Sequence, residues 1–407
     1  MKERNVSPYR WVIVAATLPI IIAVEMMWLT FSPIASIMVE EYGASLFAVN
    51  MLGTSFMIMF IVCGIPASYV IDRFGFKASL VIGGLLTGIF GFCRFAFVDS
   101  FTMICISQFL IAAGQPFLLN VTTKITANWF PFEERATADG ILTMAQYAGF
   151  AIPMVLSPML AESAGIVPML KLYGIIGLVA MVIVIVFTKE KPAVAPPGPA
   201  AEKQSFSFDA IKALLKNKPY FLSLACAFIS IGIFNTILTL IETVLMPRGI
   251  TSAEAGIIGA AFVVAGVVGA VVSPTISDKV GRRMPFLLIA VCLLIPLYLG
   301  LTFLDTYIIL VVIAGISGYS IMGVAPILFQ HGSEVAYPAP EGTSLGLILL
   351  SGQISGTLFV FMFEGLSAAC GTIVVPMIVL VVLNAVQIPI VLKMKESKMQ
   401  QERMAAK

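Results

Sequence analysis

The sequence predicts an all-α membrane protein of twelve transmembrane helices, arranged as two pseudo-symmetric six-helix halves. Three observations carry this. Apolar residues make up 59% of the 407-residue chain and charged residues only 11%, far outside soluble usage. Apolar runs follow one another nearly end to end, each near the ~20 residues that a membrane-spanning helix needs. One polar turn motif occurs twice, 206 residues apart.

The predicted spans are 10–38, 45–70, 78–98, 101–127, 136–161, 167–188, 219–246, 254–276, 284–303, 306–330, 342–367 and 372–393. Runs such as Ile175–Phe187 and Ile373–Leu383 are apolar on every side, unlike the alternating strands of a membrane β-barrel. Lys2, Arg4 and Arg10 precede the first run. That run is too long for a signal peptide and leads into further membrane, so a retained first helix is expected.

An even number of spans puts both termini on one side. Of the 24 Lys and Arg residues, 21 fall on that side, leaving Arg94, Lys171 and Arg248. The termini are therefore expected in the cytoplasm, with the chain in the cell (inner) membrane. The net charge of +2 reflects this asymmetry and gives no case for nucleic-acid binding. The longest polar stretch, Lys189–Lys218, contains Pro192, Pro196, Pro197 and Pro199. It divides an N-terminal six-helix bundle at 1–188 from a C-terminal one at 219–407, with a cytoplasmic linker at 189–218. Within it, Phe206–Leu215 is amphipathic and is expected on the membrane surface.

The repeated motif reads Asp72-Arg73-Phe74-Gly75-Phe76-Lys77 after helix 2 and Asp278-Lys279-Val280-Gly281-Arg282-Arg283 after helix 8. Its aspartate can accept charge-assisted hydrogen bonds or face a helix N-terminus, while glycine permits a tight turn. Asp72, Arg73, Gly75, Asp278, Lys279, Gly281 and Arg282 are therefore predicted to form a conformational latch. The plainer reading is of positive-inside loop residues around a turn glycine; matched duplication favours the latch. A second echo places Glu134, Thr137 and Gly140 ahead of Glu341, Thr343 and Gly346.

Polar residues at mid-membrane are costly enough to be functional candidates. Here they are Glu25, Gln115, Asn120, Gln146, Asn235 and Gln353. Glu25 is the strongest, as a substrate- or proton-binding group, and Trp28 lies three residues on, so both can face one cavity. An interfacial belt aromatic is the alternative for Trp28. Asn120 and Gln146 can equally be plain helix-bridging residues. Asn235, Thr239 and Glu242 form a stripe on helix 7, and Asn120 and Lys124 share a face of helix 4. His331, the only histidine, reads as a helix-end residue, with a proton relay as the lesser reading. The glycine-rich runs Gly256–Gly269 and Gly346–Gly356 read as packing and gating surfaces.

The six scattered cysteines contain no CxxC pair, and there is no GxxxxGK[ST] loop, so neither a metal site, a cofactor nor ATP-driven work is expected. An enzyme is disfavoured by the lack of a His/Asp/Ser cluster, and a sensor by the lack of a signalling domain.

The helix 2–3 loop resembles the signature of the major facilitator superfamily, carried by Gly64, Asp72, Arg73, Gly75 and Lys77, with Phe76 in place of an arginine. The resemblance implies a solute carrier working by alternating access; a monomer is the expected working unit. More narrowly, the chain resembles the feline leukaemia virus subgroup C receptor-related carriers, which include choline and ethanolamine transporters. Arg10-Trp11, Trp28, Asn128-Trp129-Phe130 before Glu134, and Glu334-Val335-Ala336-Tyr337-Pro338 followed by Glu341-Gly342 carry this likeness. It implies a substrate site of Trp28, Gln115 and Gln353, with Asn235 where those carriers have an aromatic; Glu25 lies outside their pattern. A small organic cation such as choline is the expected substrate. The alternatives are a drug or metabolite exporter and a proton-coupled organic anion symporter, with Arg94 or Lys124 as counter-charge. Arg94 can otherwise snorkel to the outer interface.

Overall fold

The computed structural model describes residues 7–193, 196, 208–337, 339, 341–397 and 401. Its helices fall into two compact units, Met1–Lys203 and Gln204–Lys407. The first contains α1 (Tyr9–Trp28), a 3-10 turn (Ser32–Ile34), α2 (Ala35–Tyr42), α3 (Leu46–Phe74), α4 (Phe76–Ala96), α5 (Phe101–Leu119), α6 (Thr122–Trp129), α7 (Phe132–Ala164) and α8 (Ile166–Phe187). The second contains α9 (Phe208–Lys216), α10 (Lys218–Thr239), α11 (Ile241–Leu245), α12 (Ser252–Val280), α13 (Met284–Phe303), α14 (Tyr307–Ala336), α15 (Glu341–Cys370) and α16 (Val374–Lys393). Among the described residues, twelve segments are long and apolar enough to cross a membrane, with Tyr9–Tyr42 and Phe101–Trp129 each counting as one. No strand occurs among the described residues.

Helix starts follow local capping chemistry. Ser45 accepts the Ala48 N–H at the start of α3, and Thr251 with Glu254 forms a capping box at α12. Three predicted helices are broken. The first stops at Trp28 because Pro33, in the turn that follows, lacks an N–H and its ring opposes the carbonyl four residues earlier. The fourth, which contains Pro116, ends at Leu119 with Asn120 as its cap. The seventh gives way at Leu240 to the short α11.

Within each unit, glycines let backbones approach closely. In the first, a Cβ at Gly83 would lie 2.9 Å from the Gly114 carbonyl oxygen, and one at Gly88 would lie 3.1 Å from that of Gly177. In the second, a Cβ at Gly318 on α14 would run into the Phe262 carbonyl of α12, and one at Gly352 would lie 2.5 Å from Ile231. Both glycine-rich runs thus supply packing surfaces. Pro197, Pro199 and Phe206 of the linker lie outside the described residues. The part of the amphipathic piece that is described folds as α9, with Leu214 buried beside Tyr220 and Leu224.

Candidate solute-binding site

Glu25 sits one turn before the end of α1 and is buried. Its carboxylate accepts a hydrogen bond from Gln115 Nε2 at 2.9 Å, so two of the candidates of the first unit meet directly. Pro116 follows Gln115, and the helix ends within a turn. Gly149 of α7 forms the wall behind the carboxylate, since a Cβ there would lie 2.5 Å from Glu25 Cβ and 2.9 Å from the Ile22 carbonyl oxygen. An ionisable carboxyl held this tightly by an amide in an apolar interior is available to bind charge or a proton.

Trp28 is buried, so it is no interfacial belt residue. Its indole N–H donates to the Gly53 carbonyl at 3.1 Å, and its ring stacks on Phe56 and meets Phe150 edge-on at 5.2 Å. Phe150 adjoins Gly149, so Trp28 and Glu25 share one wall of α7.

In the second unit Asn235 is buried on α10, and its amide donates to the Gly352 carbonyl at 3.4 Å. This places it against the residue next to Gln353, which is half-buried on α15. The predicted helix 7 stripe does not hold. The break at Leu240 moves Glu242 onto α11, where its carboxylate accepts from Ser252 at 2.5 Å.

At the repeated motif, Asp72 pairs with Lys124 at 3.4 Å. Lys124 lies on α6, beyond the break that separates it from Asn120. Arg73 stacks over the Tyr69 ring and donates to its hydroxyl. Gly75 has φ 91°, and a Cβ there would run into the Glu190 carboxylate. In the second copy Gly281 ends α12 with φ 76°, and the Arg282 carbonyl accepts from Ser277 at 3.1 Å. Sequence reasoning missed Arg283, which pairs with Glu334 at 2.8 Å, and the carboxylates Glu190 and Glu396. The last two follow the sixth and twelfth predicted spans 206 residues apart, the same offset as the motif, which is the signal that marks them.

Two further expectations change. Arg94 does not snorkel: it is fully buried and donates to Gln108 at 2.9 Å, because its side of α4 faces helices that offer oxygen acceptors. His331 is buried within α14 rather than at a free helix end. Its ring nitrogens face Ser223 Oγ at 2.9 Å and the Lys395 carbonyl at 3.0 Å.

The described residues contain no group of three or more His, Cys, Asp or Glu placed to hold a metal ion. The sequence profile of the Major Facilitator Superfamily matches residues 17–360. Solute carrier family 49 member A3 of Danio rerio is 30% identical over 378 residues, covering 88% of this chain and 78% of that one. The choline/ethanolamine transporter FLVCR2 of Homo sapiens is 25% identical over 379 residues, covering 87% and 71%. The fold matches a crystal structure of a bacterial homologue of the human lysosomal transporter Spinster, with a TM-score of 0.73 at 19% identity over 95% of this chain and 97% of that one. With its profile, its twelve apolar helices and its duplicated turn motif in agreement, the chain belongs to the major facilitator superfamily of multi-pass membrane transporters.

Proposed function

We propose that this transporter carries a small organic cation of the choline or ethanolamine kind across the cell membrane by alternating access, with both termini cytoplasmic. The observation that carries the reading is the buried Glu25–Gln115 pair beside Trp28 in the first unit. A carboxylate supplies the opposite charge and an indole face attracts an ammonium group by about 0.5–2 kcal/mol. Similarity to choline/ethanolamine transporters supports the same class. Asn235 and Gln353 are the proposed solute contacts of the second unit, and the duplicated turns the proposed latch. Glu25 also makes proton coupling part of the proposal, and the working unit is proposed to be a monomer.

The carboxylate-symport alternative loses one of its two counter-charges, because Lys124 is engaged by Asp72. The test is uptake of labelled choline into proteoliposomes, with and without a proton gradient, for the natural chain and for Glu25→Gln, Trp28→Ala and Gln115→Ala. Saturable uptake lost in Trp28→Ala and Gln115→Ala supports the site. Uptake of organic acids but not choline overturns the substrate. Unchanged pH dependence in Glu25→Gln removes proton coupling.

A further inference from the structure

A buried guanidinium in the first unit has half its hydrogen-bonding edge unspent. Arg94, in the last turn of α4, is fully buried, and among the described residues no Asp or Glu pairs with it. Its Nη1 donates to Gln108 Oε1 at 2.9 Å and reaches Thr30 Oγ1 at 3.4 Å. Gln108 is itself fixed, since its Nε2 donates to the Met27 carbonyl at 2.9 Å, which turns its oxygen towards the arginine. The Phe31 ring covers the guanidinium, 5.5 Å from its central carbon.

Nε and Nη2 are buried too, and neither has a hydrogen-bond partner among the described residues. These two atoms form one side of the planar fork, from which two N–H bonds project in parallel. That edge takes both oxygens of a carboxylate, or one halide, side-on. A buried charge lacking a counter-charge is strongly destabilising.

We propose that the Nε/Nη2 edge of Arg94 binds a small singly charged anion, a halide or a small carboxylate, within the first unit. Gln108 and Thr30 hold the guanidinium so that this edge stays free. The site is distinct from the Glu25–Gln115 pair and stands whether or not choline is the solute.

The test is the unfolding temperature of the purified full chain in neutral detergent, followed with a thiol-reactive dye. Chloride or acetate replaces bulky gluconate at constant ionic strength. A saturable rise of several degrees is expected in the natural protein, and the more effective anion identifies the source. Arg94→Gln abolishes the rise. Gln108→Glu supplies an internal carboxylate, so it is expected to melt in gluconate at or above the natural protein and to ignore added anion. If Arg94→Gln does not fold, Gln108→Glu decides alone. A natural protein indifferent to all three anions, or a Gln108→Glu variant that responds as the natural one does, overturns the proposal.

Discussion

The Glu190 carboxylate accepts the backbone N–H of Lys77 at 2.8 Å and that of Phe76 at 3.2 Å, tying the chain beyond α8 to the first turn of α4. Its counterpart Glu396 accepts the N–H groups of Met284 at 2.9 Å and Arg283 at 2.6 Å at the start of α13. The first N–H groups of a helix have no internal partner, and a carboxylate there gains both charge-assisted hydrogen bonds and the helix dipole. Duplication has therefore preserved a cap contributed from outside the capped helix. Glu190→Ala is expected to cost about 0.5–2 kcal/mol, the range for losing a helix cap, and Glu190→Gln less. Thermal unfolding in detergent measures both, and an unchanged melting temperature in Glu190→Ala would falsify a stabilising role.

The Arg283–Glu334 pair is nearly water-free, with side-chain exposures of 1% and 8%. Removing one member leaves an unpaired charge in the interior, so Glu334→Gln is expected to cost about 3–5 kcal/mol. The double variant Arg283→Leu/Glu334→Leu should cost less than the two single losses together. A double-mutant cycle on unfolding free energies reads this coupling, and strict additivity would refute it.

Gly318 and Gly365 make a matched contrast. A Cβ at Gly318 runs into the Phe262 backbone, whereas one at Gly365 meets nothing within 4 Å. Gly318→Ala is expected to destabilise the second unit by about 1–3 kcal/mol or more through overpacking. Gly365→Ala should be neutral or slightly stabilising, as alanine favours helix. Similar melting temperatures for the two variants would show that α12 and α14 can part at no cost.

Gly149 offers a test of the candidate site from outside it. A Cβ there must displace Glu25, because flexible atoms are not what it meets: the contacts are Glu25 Cβ and the Ile22 backbone. Gly149→Ala is expected to weaken apparent solute affinity, with each ~1.4 kcal/mol of misplacement worth a tenfold change. Uptake kinetics give the answer. An unaltered KM in a folded Gly149→Ala protein means that the position of Glu25 does not govern recognition.

By itself the sequence determined the twelve helices, because lipid forces every backbone polar group into local hydrogen bonds and leaves an apolar run of fixed length as the signature. It also exposed the duplication, since Asp72 and Asp278 sit at a constant offset. Glu25 and Gln115 were legible as candidates because polar residues in such runs stand out. Their hydrogen bond was not, because 90 residues separate them and only the packing of α1 against α5 sets their register. The same reason hid the Glu190 and Glu396 caps, the Arg283–Glu334 pair and the burial of Arg94. The sequence shows a charge near a helix end, but whether that end faces lipid, water or a neighbouring glutamine depends on helix rotation, which tertiary packing alone decides.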